Sequence, residues 1–245
     1  MSEIVDNCGL FGKTPQQADF VSHFLSDDFT EYWHSWLQSS LSVSREQLGD
    51  AWLDYYLTSP VWRFALMPGV ASPHAVCGVM IPSVDEVGRY FPLTIAHQGA
   101  CAPWAAYLDG QEWYQTVAKL ALTALDEQTS YTQLIKQLEA LPCPAFSAAP
   151  EYSTQTVTMN AHANQAFTST PADTPQQLAN NVLHKAYTGL LGNYSLWWTE
   201  GSEHVESSLL LSANLPEAGQ FAAMLDGDWR QWNWAKEDII NHDNP

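Results

Sequence analysis

The chain has 245 residues, 46% hydrophobic and 12% aromatic, enough apolar surface for a packed core and too much for a globally disordered chain. Nine Lys and Arg stand against 27 Asp and Glu, a formal charge of −18 with no basic cluster, so neither nucleic acid nor an anionic membrane surface is an expected partner. The acidity serves solubility and also suits a basic protein partner, because surface charge sets association rate and choice of partner. Eleven tryptophans supply core or interface anchors. The start, MSEIVDNCGLFGK, lacks the basic and apolar regions of a signal peptide, and no apolar run approaches the ~20 residues of a membrane helix. Cys8, Cys77, Cys101 and Cys143 show no CxxC spacing, so free thiols in a reducing cytoplasm are expected.

A short strand is predicted at 8–12. Phe29, Trp33, Trp36, Leu37 and Leu41 then fall on one face of a helix. SREQ at 44–47 has the form of a capping box, which predicts a second helix with Leu48, Trp52, Tyr55 and Tyr56 inward. Pro60 stops it, since the residue before a proline is pushed out of the α region. Three strand-length runs follow, VWRFALM, AVCGVMI and YFPLTIA, joined by connections short enough to favour antiparallel neighbours. Helices are predicted at 110–127 and 130–141. Residues 142–174, rich in Pro, Ala, Ser and Thr, read as a long irregular excursion. Thr174 then caps a helix with Pro175 at its first position, running to about Leu191. A hairpin around Gly201, a short helix at 216–226 and a Trp-rich tail at 227–245 complete the order. About five or six strands with helices before, between and after them imply a sheet covered on both faces, an α/β sandwich.

GKT at 12–14 is not a P-loop. Asn7 stands where the motif needs a glycine, and Pro15 follows where the phosphate-binding helix would begin. The eight histidines form no HxxxH or HExxH pair, so no metal site and no cofactor are expected. Ser83 and Asp85 have no neighbouring base and no GxSxG elbow, and after a proline they suit a turn better than a nucleophile. Arg63, between Trp62 and Phe64, and Arg89, before Tyr90, sit in apolar surroundings and need carboxylate partners if buried; Asp85 and Asp19 are the nearest in sequence. Two readings stand. Either a buried ion-pair network fixes the 82–91 loop, or Arg63, Ser83, Asp85 and Arg89 line a pocket for an anion-sensing or hydrolytic protein. The first reading expects Arg89→Ala to cost about 3–5 kcal/mol.

The stretches GLFGKTPQQADFVSHFL at 9–25, SREQLGDAWLDYYLTSPVWRFAL at 44–66 and GVMIPSVDEVGRYFPLTIA at 78–96, with SLWWTEGS at 195–202 and LPEAGQFAAML at 215–225, resemble the type VI secretion-associated TagF (ImpM) family. On that resemblance Gly12, Lys13, Pro15, Asp19, Trp62, Arg63, Ser83, Asp85, Gly88, Arg89 and Pro92 occupy family-motif positions with a structural or partner-binding role. Ala18 departs from the pattern, because relatives often carry glycine before the aspartate. The resemblance implies a three-layer α/β/α sandwich with a mixed, largely antiparallel central sheet, and one domain over 1–245 without the phosphatase domain fused to some relatives. It also implies a cytoplasmic, non-enzymatic post-translational repressor of type VI secretion associated with the forkhead-associated scaffold protein of that system. A purely structural assembly component is a third, weaker reading.

Overall fold

The computed structural model describes residues 7–126, 128–145 and 174–237. Among the described residues seven strands form one sheet: β1 (Cys8–Gly12), β2 (Val21–His23), β3 (Trp62–Leu66), β4 (Ala75–Ile81), β5 (Leu93–Gly99), β6 (Tyr194–Thr199) and β7 (Ser208–Ala213). Their order is β2-β1-β5-β4-β3-β6-β7, and every pairing is antiparallel, with no parallel pair among the described strands. Alternation along the strands sends side chains to two separate cores. Trp62, Phe64 and Leu66 of β3 point to one, and Ala65 to the other.

The first face is covered by α1 (Asp27–Leu48), α2 (Trp52–Leu57) and the C-terminal segment that holds α7 (Ala223–Asp226). Phe29, Trp33, Leu37 and Leu41 of α1 are buried there, as their spacing predicts. Trp33 anchors the layer. Its indole donates to the Thr94 hydroxyl at 2.9 Å and stacks on Trp197 with centroids 5.8 Å apart. The second face is covered by α3 (Pro103–Asp109), α4 (Gln111–Thr123), α5 (Tyr131–Glu139) and α6 (Pro175–Leu191). The three-layer arrangement is therefore present.

Several boundaries differ from the sequence reading. SREQ does not start a helix: α1 runs through it to Leu48 and ends at Gly49, whose φ is +54°. Ser44 is buried inside the helix, where its hydroxyl donates to the Leu41 carbonyl and accepts the Trp52 indole N–H. A helix already bonded from upstream has no orphan N–H for a capping serine to take. The strand β2 and the helix α3 are both absent from the sequence reading, the first too short for a pattern and the second begun by Pro103. The 216–226 helix is a 3₁₀ turn at Ala218–Gln220 followed by α7. Thr174 caps α6 as expected, with Gln177 closing a reciprocal box. Of the 142–174 excursion, residues 146–173 lie outside the described residues. Cys8, Cys77 and Cys101 are buried and Cys143 is half-buried. Among the described residues no helix is long and apolar enough to cross a membrane.

Candidate functional site

The link from β4 to β5 folds back on itself as a small clasp. Val84 and Tyr90 form an antiparallel bridge, the Asp85 N–H donates to the Arg89 carbonyl at 3.0 Å, and the Phe91 N–H donates to the Ser83 carbonyl at 3.1 Å. Gly88 makes the reversal at φ +85°, in the left-handed region that favours glycine. Asp85 sits at the centre with its side chain fully sealed from solvent. One carboxylate oxygen accepts the N–H groups of Val87 (3.1 Å) and Arg89 (2.7 Å). The other accepts the Lys13 ammonium and, at 2.6 Å, the Arg89 Nε. Burial by itself pushes this carboxyl up. The hydrogen bond from Lys13, then the backbone and side-chain donors of Arg89, outweigh burial and hold it well below the usual carboxylate range.

The clasp closes on the segment after β1. Gly12 has φ +135°, and a Cβ there would run into the Pro92 carbonyl oxygen, so the two segments meet backbone to backbone. Lys13 follows, buried, with its ammonium 4.9 Å from the centroid of Phe20. Ser83 donates its hydroxyl to the Lys13 carbonyl at 2.7 Å, and an Arg89 guanidinium N–H donates to the Ala18 carbonyl. Pro15 lies in a turn closed by the Gln17 N–H on the Thr14 carbonyl at 3.1 Å. Gln16 ties that turn to the end of α4 through the carbonyls of Ala124 and Asp126, at 3.0 and 2.8 Å. Beneath it all, the Tyr56 hydroxyl accepts the Ser83 N–H at 3.0 Å and donates to the Ser83 carbonyl at 2.9 Å. Burial pushes the Tyr56 phenol up, so it stays a neutral donor.

Lys13, Ser83, Asp85, Gly88 and Arg89 thus meet in one place, around Gly12 and Pro15. The other sequence-predicted residues lie elsewhere. Trp62 is a core residue whose indole donates to the Met224 carbonyl at 3.0 Å. Asp19 is exposed and joins no ion pair among the described residues, so it is not the partner of either arginine. Arg89 is not buried: its side chain is 56% exposed, and the sealed cation of the clasp is Lys13. Arg63 pairs with Glu200 at 2.6 Å, not with Asp85. Two cavities of about 480 and 630 Å³ border Arg63, and neither is lined by Ser83, Asp85 or Arg89. Among the described residues, Arg63 lines these two cavities while Ser83, Asp85 and Arg89 meet in the clasp. Sequence reading missed Tyr56 as a partner of Ser83 and Glu200 as a partner of Arg63. The second was reachable only through the pairing of β3 with β6, which sets Arg63 opposite Trp198, two residues before Glu200. Ala18 has an ordinary φ, since the non-glycine residues at positive φ are Phe24, Asn214 and Asn233.

Among the described residues, no three His, Cys, Asp or Glu side chains group as metal ligands. The chemistry of the clasp is that of a closed joint: its hydroxyl is donated, its carboxylate is saturated, and its ammonium is sealed. Residues 9–141, which carry all of it, match the family model of the TagF N-terminal domain, type VI secretion system-associated. The chain belongs to the TagF family. The crystal structure of PA0076 from Pseudomonas aeruginosa PAO1 at 2.05 Å resolution is similar over 97% of this chain and 100% of that one, with 33% identity and a TM-score of 0.78. A comparison with curated protein sequences gave no match. In this TagF chain the strands β6 and β7 lie beyond the matched residues yet extend the same sheet.

Proposed function

We propose that this TagF-family chain is a non-enzymatic, post-translational repressor of type VI secretion. It acts in the cytoplasm by binding a protein, with the forkhead-associated scaffold of the system as its partner. The family membership supports the pathway. The observation that carries the non-enzymatic reading is the state of the clasp, where Ser83 donates its hydroxyl to a carbonyl and Asp85 is held by two cations and two backbone N–H groups. A nucleophile or general base needs an accessible lone pair at the reacting atom. Ser83 and Asp85 are both buried, so neither presents one. The formal charge of −18 and the abundance of tryptophan support a protein partner and disfavour nucleic acid. We take residues 1–245 to act as one domain, since strands from both ends of the chain share a sheet.

Two measurements test this. Deleting the gene is expected to raise secretion of a type VI substrate, and the purified chain is expected to retain the scaffold protein in a pull-down. Unchanged secretion together with no retention of any scaffold or baseplate component overturns the proposal.

A further inference from the structure

Arg63 is the one charged side chain in an apolar row. Its cross-strand neighbours are Val79 on β4 and Trp198 on β6, followed by Leu209 on β7. Its side chain is 10% exposed, yet among the described residues its only carboxylate contact is Glu200, which is 71% exposed and accepts a single 2.6 Å bond from Nη2. A guanidinium carries five N–H donors in a fixed fork suited to a bidentate carboxylate. One donor is used. Two cavities of about 480 and 630 Å³ are both lined by Arg63 and Glu200. One stripe of α4, Gln111, Gln115, Lys119 and Leu122, forms the wall of this groove. Three of the exposed large apolar side chains of the protein, Leu108, Leu122 and Leu209, flank it. A second cation, Lys119, lies on the same wall.

We propose that this groove docks an apolar segment of a partner protein through one acidic side chain, whose carboxylate takes the Arg63 guanidinium bidentately while Glu200 swings into solvent. Glu200 is the internal occupant of the seat in the free protein. Asp126 and Glu200 balance Lys119 and Arg63 in the lining, so the complementarity that selects the occupant is local: the nearly sealed guanidinium, with one exposed partner, calls for a carboxylate, and the leucines call for apolar flanks. The proposal deepens the protein-binding reading above and rests on it.

The test uses the full chain and fluorescein-labelled seven-residue peptides with apolar residues around a central Glu, Gln or Lys, read by fluorescence polarisation. Central Glu is expected to bind about tenfold tighter than central Gln, the weight of a charge-assisted hydrogen bond. Glu200→Gln removes the internal competitor and is expected to tighten the Glu peptide roughly two- to fivefold. Arg63→Met is expected to abolish the preference for Glu. Should Arg63→Met fail to fold, Glu200→Gln still decides, because that side chain is exposed. Equal binding of Glu and Gln peptides, strongest binding of the Lys peptide, or weaker binding by Glu200→Gln overturns the groove. Competition by inorganic phosphate without any peptide preference overturns it too, in favour of a small-anion site. Peptide preference with no secretion phenotype overturns the repressor reading and leaves the groove; a secretion phenotype without peptide preference does the reverse.

Discussion

In the clasp a buried carboxylate meets a buried ammonium, whereas in the groove only the cation of the ion pair is buried. Asp85 is sealed and receives two cations and two backbone donors, so each lone pair it brings out of water is met. Arg63 is nearly sealed and receives one exposed carboxylate. Both lie at the end of the sheet where β3 begins and β4 ends, as the pairing of Trp62 with Met80 requires. The difference separates two uses of buried charge. A saturated charge fixes geometry, whereas a charge with unused donors at the floor of a cavity keeps binding capacity.

The largest effect that would break this contrast is at Lys13. Lys13→Met leaves the Asp85 carboxylate buried beside a half-exposed Arg89, and the expected loss is about 3–5 kcal/mol in urea unfolding. A loss below about 1 kcal/mol would show that Asp85 does not depend on its sealed partner.

Acid tests the same carboxylate from the other side. Its folded pKa is depressed, so its contribution is complete above the unfolded value of about 3.9 and is lost as pH falls through the folded one. The stability gap between the wild type and Asp85→Asn is therefore expected to stay constant from pH 7 to about pH 5 and to close below about pH 4. A gap that closes near neutral pH would mean that the carboxyl is raised by burial and not lowered by its donors.

What could be read from the sequence follows the range of the interactions. The helix α1 announces itself through periodicity, β3 and β4 through strand-length apolar runs between turn residues, and α6 through Thr174 and Pro175, because those signals sit within a few residues. The turn at Ser83, Asp85 and Gly88 was legible for the same reason, and so was the pair of Asp85 with Arg89 four residues on. Lys13 lies 72 residues from Asp85, and Arg63 lies 137 from Glu200. Reading nearby acids therefore named Asp19, which faces solvent, and missed both long-range partners. SREQ misled in the opposite way, since a local capping pattern was overridden by a helix already running through it.

Arg89 sharpens the comparison at intermediate size. With its side chain 56% exposed, it shares Asp85 with Lys13 and bridges to the Ala18 carbonyl. Water replaces much of what Arg89→Ala removes, and the expected cost is about 1 kcal/mol, well under the figure for a sealed partner. A cost as large as that of Lys13→Met would make the two cations equal members of the joint.

The smallest expected change is at Arg63, and it discriminates most between the two regions. Arg63→Met puts an apolar side chain of similar length into a row of Val79, Trp198 and Leu209, and Glu200 is left in water, where it needs no partner. No uncompensated buried charge results, so unfolding stability is expected to stay within about 1 kcal/mol of the wild type, in either direction. Urea unfolding of the two variants side by side gives the comparison directly. If Arg63→Met costs as much as Lys13→Met, the guanidinium is a structural cation, and its unused donors have no binding role to explain.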